Sequence, residues 1–406
     1  MRARAALAAA TVATLLLGLV TACEKKSGND GATPVASGEP IVVGSTLSLS
    51  GAFAATGIIH KIAGELFVER LNASGGLLGR PIKWVVRDDE SDQAKVSTLY
   101  EQLISQDRVD LIIGPYATPN ILSAMAVAAR HKYLLPQHTA VIAPLLTYEC
   151  QFPAWSIGAT PNEFVPNQLF DAMASLPTPP KKIAILTNQN GSTDFVSYGS
   201  ANVKGGAVTV APQRGFQVVL EKRYPPNTSD WSSLAAQVRD AKPDLLFNSG
   251  IAVDPVNLLQ AMAQLNYKPP MMFSLFPAPG PPLSLGPTAE GLMSVSIFEP
   301  NKATLDKLGP KAAQIVQEFE TRASTAKLPY TVFETQAAAS WNAWEILVAS
   351  VKGHITDYAL VPLDVKSAAA LKNGKNTLAV HCHQTAGGQY IDLGLSRLVE
   401  ASAAAK

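Results

Sequence analysis

Charge of one sign, long apolar runs and catalytic signatures are all scarce in this chain, and each shortage removes a class of protein. Basic and acidic side chains number 33 and 32, and no basic cluster follows the amino-terminal region. Phosphate neutralisation needs a concentrated positive face, so no nucleic-acid partner is expected. The chain is 47% apolar, yet no second long hydrophobic run follows the one near its start, so its body reads as globular. There is no Gly-x-Ser-x-Gly elbow, no P-loop, and no Gly-x-Gly-x-x-Gly opening a helix after a strand. Neither an enzyme nor a bound cofactor is expected. His381-Cys382-His383 would put two imidazoles on one face of a strand, but no further ligands with zinc-like spacing accompany it, so no metal is expected either.

What is present begins with a targeting segment. Arg2 and Arg4 precede an apolar run over residues 6–20, and Val20-Thr21-Ala22-Cys23 supplies a small-residue cleavage site ending in cysteine. Residues 1–22 therefore read as a signal peptide. Cys23 is placed where the bacterial lipobox puts its lipidated cysteine, which it resembles. Residues 23–40 carry Lys, Ser, Gly, Asn, Asp and Pro with little apolar bulk, the composition of a flexible tether. The mature chain, tether included, would hold about 380 residues, enough for two cores of ordinary domain size.

The body alternates. A buried strand starting at Ile41 runs into the small-residue loop Ser48-Leu49-Ser50-Gly51. Residues 57–71 carry apolar side chains at helical spacing, and the glycine pair Gly75-Gly76 stops that helix. A strand from Ile82, a helix over 96–104 and a strand from Val109 to Gly114 follow. The same alternation restarts at Lys182, with strands near 218–224, 245–249 and 271–274, and helices over 232–241 and 254–265. Strand–helix–strand order of this kind gives parallel sheets with helices on both faces, and ligands bind at the carboxyl ends of such strands. There the loops over residues 49–56, 88–93, 114–120 and 137–141 are mostly rich in Ser, Thr, Asn, Gly or Asp. The acidic group Asp88, Asp89, Glu90 and Asp92 reads as a solvated loop. Residues 291–297 read as a strand returning to the first half, and Trp341, Trp344 and Leu347 as the core face of a helix over 335–352.

The motifs Leu71-Asn72-Ala73-Ser74-Gly75-Gly76, Gly79-Arg80-Pro81-Ile82, Asp88-Asp89-Glu90-Ser91-Asp92 and Ile112-Ile113-Gly114-Pro115 keep the order and spacing of a known family. Lys242-Pro243-Asp244 continues the match, which covers roughly residues 41–350. The chain resembles the type I periplasmic solute-binding proteins of the leucine/isoleucine/valine-binding kind. The resemblance implies an α/β fold with two doubly wound parallel-sheet lobes joined by a three-strand hinge. Lobe 1 would hold residues 41–155 and 292–356, and lobe 2 residues 156–291 and 357–400.

It also implies a site. In those relatives a hydroxyl and amides after the third strand hold the ligand carboxylate, which falls here on Ala117 and Thr118. Groups after the fourth strand fall on Gln137, His138 and Thr139, and Ser50 in the first loop is a further candidate. On the second lobe the chain departs from the pattern. Ile251 stands where a tyrosine is expected, and Phe273-Ser274-Leu275-Phe276 where relatives carry an acid that pairs with a ligand ammonium. Ile251 and Phe276 are thus apolar contact candidates, favouring an apolar or aromatic carboxylate over a branched-chain or other amino acid.

The function the resemblance implies is solute capture for an ATP-driven importer. The chain would act as a monomer outside the cytoplasm, lipid-anchored at Cys23, with a small-molecule ligand and permease and ATPase subunits as partners. A ligand-sensing receptor of the same fold is the alternative. Cys150 and Cys382 lie near the first and last crossings between lobes, either bridged or as two buried thiols.

Overall fold

The structure is a computed structural model. It describes residues 35–353 apart from 156–159, 252, 277–279 and 329, together with the backbone of Leu378–Cys382 and Ile391–Leu395. The signal peptide, Cys23, residues 23–34 of the tether, the third crossing between lobes, and the side chains of His381, Cys382 and His383 lie outside the described residues. The last residues of the expected tether are docked, which corrects that reading. Ser37 N donates to Gly79 O (2.9 Å), and Arg80 Nε and Nη2 donate to the carbonyls of Glu39 and Pro40 (2.7 and 3.1 Å). Backbone pairing with one turn fixes a segment whose side chains have little apolar surface to bury.

The first half is built on β1 (Ile41–Leu47), which pairs in parallel with β2 (Ile82–Asp88) on one side and β3 (Leu111–Ile112) on the other. Between them run α1 (Ala54–Ala73), α2 (Gln93–Ser105) and α3 (Thr118–His131); β4 (Leu135–Gln137) then pairs in parallel with β5 (Gln151–Pro153). Gly114 N donates to Pro136 O (2.7 Å), which sets β4 beside the end of β3. The strands therefore follow the order β2-β1-β3-β4-β5.

Helix α1 stops as its sequence requires. Gly75 and Gly76 adopt φ of 104° and 72°, and Gly76 N closes back onto Leu71 O at 2.9 Å. At its other end α1 abuts the loop after β1. A Cβ on Gly57 would lie 1.9 Å from the Ser48 carbonyl oxygen, so only glycine fits there.

The second half repeats the plan. Helix α4 (Pro161–Ala174) leads into β6 (Lys182–Asn188), α5 (Gly191–Tyr198), α6 (Ala207–Gln213) and β7 (Gln217–Tyr224). Next come α7 (Trp231–Ala241), β8 (Leu245–Ser249), α8 (Asp254–Gln264), β9 (Met271–Ser274) and β10 (Leu292–Ser294). All five strands are parallel in the order β7-β6-β8-β9-β10, the same order as in the first half. Strand β6 shows why the sheet is sandwiched. Ile183 and Ile185 enter one apolar cluster and Ala184 and Leu186 another, so both faces are covered and the sequence reads as a continuous apolar run.

Strand β10 corrects the expectation for residues 291–297. Leu292 to Ser294 extend the second sheet by pairing with Met272 to Ser274, and the chain leaves only afterwards. It then forms α9 (Lys302–Leu308), α10 (Pro310–Thr325) and α11 (Thr335–Gly353). Phe319, Trp341, Trp344 and Leu347 join the cluster of Val43, Leu66 and Phe67, so α10 and α11 cover the first sheet. Trp344 is 1% exposed, stacks on Phe67 and meets Trp84 edge-on; these tryptophans are core. A final antiparallel pair, β11 (Leu378–Cys382) and β12 (Ile391–Leu395), completes the described backbone.

Candidate functional site

A narrow cleft lies among the loops at the carboxyl ends of strands from both sheets. From the first half it is lined by Phe53 after β1, by Tyr116, Ala117 and Thr118 after β3, by Thr139 and Val141 after β4, and by Trp155 after β5. From the second half come Asn190 and Ser192 after β6, Ile251 after β8 and Phe276 after β9, while Gln336 sits in the first turn of α11. None of these side chains carries a charge. Ile251 packs with Phe53 and Tyr116, so the two halves already touch across the cleft.

Two helices start at this cleft. Helix α3 follows Ala117, which holds φ of 72° and offers no side-chain cap, so the first turn of α3 begins without one. Thr118 does not cap the helix, the ordinary task of a threonine at that place. Its hydroxyl donates to Thr139 O (3.4 Å) and accepts from Val141 N (3.3 Å), stitching the loop after β3 to the loop after β4. The Thr139 hydroxyl is buried and has no partner within the protein. On the second half α5 is capped by Asn190, whose Oδ1 accepts from Ser192 N at 3.2 Å.

The remaining sequence candidates lie elsewhere. Ser50 is exposed and donates its hydroxyl to Asp88 Oδ2 (2.8 Å). Gln137 is buried away from the cleft, giving Nε2 to Gln151 Oε1 (3.2 Å) and taking Ala140 N on its own Oε1 (2.9 Å). His138 is also buried, with Nδ1 3.2 Å from Pro115 O and its ring 4.4 Å from that of His60. Burial pushes the His138 imidazole down to about 4, and burial together with His138 holds His60 well below the ordinary range.

The acidic loop is solvated at Glu90 and Asp92 but not at Asp89, a third correction. Asp89 is fully buried and accepts from Thr46 Oγ1 (2.8 Å), Ser48 Oγ (2.6 Å) and Ser91 N (3.0 Å). Burial raises its carboxyl above the usual range against the pull of those bonds. Asp88 takes the amides of Leu49, Ser50 and Glu90, and Asp92 caps α2 through Ala94 N. These carboxylates clamp the small-residue loop after β1. Ser48 in turn accepts from Asn120 Nδ2 (3.4 Å), which ties the clamp to the start of α3.

Of the nearby carboxylates, three are engaged or exposed, while Glu334, two residues before Gln336, is buried with neither oxygen bonded, and burial holds its carboxyl well above the ordinary range. Asp254 is buried and accepts from Asn188 Nδ2 (2.7 Å), Tyr224 OH (3.0 Å) and Ile251 N (3.1 Å). Asp194 pairs with Arg223, and Glu299 is exposed. Cys150 is a free and exposed thiol, so at that position neither the bridge nor the buried thiol is found; the Cys382 side chain lies outside the described residues. Sequence reasoning did not single out Phe53, Tyr116, Val141, Trp155, Asn190, Ser192 or Gln336. Asn190 and Ser192 follow β6, where the strand-end rule would have found them.

The sequence profile described as periplasmic binding protein matches residues 40–376. The chain belongs to the periplasmic binding protein family. It is of the type I, leucine/isoleucine/valine-binding kind, and membership implies a location outside the cytoplasm. This periplasmic binding protein is 28% identical over 272 residues to the Leu/Ile/Val-binding protein homolog 7 of Brucella abortus, covering 64% of this chain. The match spans 63% of that relative's length, just under two thirds. A Rhodopseudomonas palustris solute binding protein solved with benzoate superposes with TM-score 0.61 at 21% identity, over 77% of this chain and 81% of that one. A Streptococcus pneumoniae branched-chain amino acid transporter substrate binding protein, solved with isoleucine, gives TM-score 0.60 at 17% identity, over 78% and 84%. At those identities the superpositions speak to the fold. Among the described residues no helix is long and apolar enough to cross a membrane.

Proposed function

We propose that this periplasmic binding protein captures an apolar or aromatic carboxylate for an ATP-driven importer and hands it to the permease as a lipid-anchored monomer. One observation carries the ligand reading: no lining side chain is charged, with hydroxyls and an uncapped helix start on the first-half side and Ile251 and Phe276 beside the Asn190-capped helix start on the other. Neutral donors at a helix start hold an anion without a full counter-charge. A ligand ammonium buried there would find no carboxylate on the lining, and an unpaired buried charge costs several kcal/mol. The two sheets with their helices act as lobes, and separation at Ile251 admits the ligand.

Calorimetry against phenylalanine and its deaminated analogue, 3-phenylpropanoate, tests this directly. The deaminated acid binds more tightly on this reading, and tighter binding of phenylalanine overturns it. Deletion of the protein abolishes uptake of its tight-binding acid, and unchanged uptake would remove the importer role. Cys23→Ser releases the protein from the membrane fraction and abolishes palmitate labelling, whereas a labelled variant refutes the anchor.

A further inference from the structure

Gln336 is 1% exposed, lines the cleft, and places Oε1 3.1 Å from Nε2 of His60 on α1. His60 is fully buried, with its ring 5.0 Å from that of Tyr116 and 4.4 Å from that of His138. It is neutral there, since burial and the second imidazole both oppose a charge. A neutral imidazole carries one N–H. Nδ1 of His60 has no partner, so a proton there would be a buried donor without an acceptor, the costlier arrangement. The proton belongs on Nε2, donated to Gln336 Oε1. That bond fixes which way the amide faces.

With its oxygen held by His60, the amide turns Nε2 away, and Gln336 Nε2 is buried without a partner. Among the described residues lining the cleft, two other buried side-chain groups share that condition, Thr139 Oγ1 and Trp155 Nε1. Trp155 Nε1 and Gln336 Nε2 can only donate. We infer that Gln336 is a specificity-determining residue: its amide N–H₂, oriented by His60 as a positioning residue, donates to the ligand carboxylate alongside Trp155. This rests on the carboxylate reading above and names the residues that enforce it. A ligand presenting N–H groups at that end would set donors against donors. Trp155 lies on the chain leaving the first sheet, and Gln336 in the first turn of α11, which covers that sheet.

The test measures 3-phenylpropanoate and 3-phenylpropanamide by calorimetry on the full chain, with Gln336→Glu as the near-isosteric variant. Replacing the N–H₂ by an acceptor oxygen weakens the acid by roughly a hundredfold and the primary amide by less than about tenfold. Gln336→Met, of similar volume, weakens the acid by roughly tenfold or more and serves if the glutamate variant does not fold. Nitrogen NMR of the wild-type imidazoles finds the His60 proton on Nε2. A glutamate or methionine variant that keeps the wild-type preference for the acid overturns the inference, as does a His60 proton on Nδ1. Failure of the unaltered protein to bind either probe would instead defeat the carboxylate reading, and the NMR result still decides the His60–Gln336 lock.

Discussion

The two halves share one strand order yet furnish their ends of the cleft differently. The first half brings hydroxyls, an uncapped helix start and a buried polar layer of Asp89, His60 and His138. The second half brings Ile251 and Phe276 beside a helix start already capped by Asn190, and its buried acid, Asp254, takes three donors of its own half on Oδ2. The same topology thus supports an uncapped helix start with a free hydroxyl on one side and a capped helix start beside Ile251 and Phe276 on the other. What distinguishes them is which loop residues keep a free donor. Thr139 does, whereas Asp254 gathers Asn188, Tyr224 and Ile251 of its own half on one oxygen, Oδ2.

The sharpest way to break this comparison is acid. The segment 161–294 contains no histidine, whereas the first half buries two. His138 titrates near 6.5 unfolded and at about 4 folded, so the unfolded chain takes the proton first. Its contribution is complete above pH 6.5 and is lost as pH falls to about 4, a change of about 3 kcal/mol for such a shift. Asp89 and Glu334 work in the opposite sense. Burial raises both carboxyls, so they favour the folded state as pH falls through their folded values. The histidine effect is therefore isolated by comparing urea midpoints of wild type and His138→Gln across pH 4–7. The difference between them shrinks toward acid; a difference independent of pH removes the imidazole from the account.

Next in size are the hydroxyls of the first half. Thr139→Ala deletes a hydroxyl that has no protein partner, so anion affinity falls by about 1.5–3 kcal/mol, the cost of losing a bond to a charged group, while stability barely moves. Thr118→Ala also breaks the stitch between two loops and lowers both affinity and unfolding midpoint. Calorimetry with denaturant titration separates the two. Equal stability losses in both variants would mean that Thr139 is a structural hydroxyl after all.

How much of this was legible in the sequence follows from the range of the interactions. Helices and buried strands were readable because their apolar spacing is local; the helix ends at Gly75-Gly76 and the strand Leu245–Ser249 fell where expected. Ala117, Thr118, Thr139, Ile251 and Phe276 reach the cleft because strand-end loops must converge in such sheets. The buried state of Asp89 was not legible. It depends on Thr46 and Ser48, brought alongside only by the parallel register that sets Leu47 opposite Asp88. Gln336 gave no local signal at all, since its role depends on His60, 276 positions earlier. Gln137 and His138 failed for the converse reason: adjacent to Thr139 in sequence, they turn into the protein and spend their polar atoms there.

The smallest expected effect probes the apolar contact of the second half. Ile251 is only partly buried and contacts Phe53 and Tyr116 across the cleft, so Ile251→Ala removes both a ligand contact and an interlobe contact. For a ligand whose tail reaches the second half, the lost apolar area weakens binding by about 1 kcal/mol. The loss is the same for an acid and its primary amide, because an alkyl side chain does not read charge. Opening is also easier in the variant, since fewer atoms join the two halves, so association of 3-phenylpropanoate measured by stopped flow speeds up or stays level while dissociation accelerates. A variant that discriminates against the acid more than against the amide would place part of the anion's recognition on the second half. The division of labour between the two halves would then have to be redrawn.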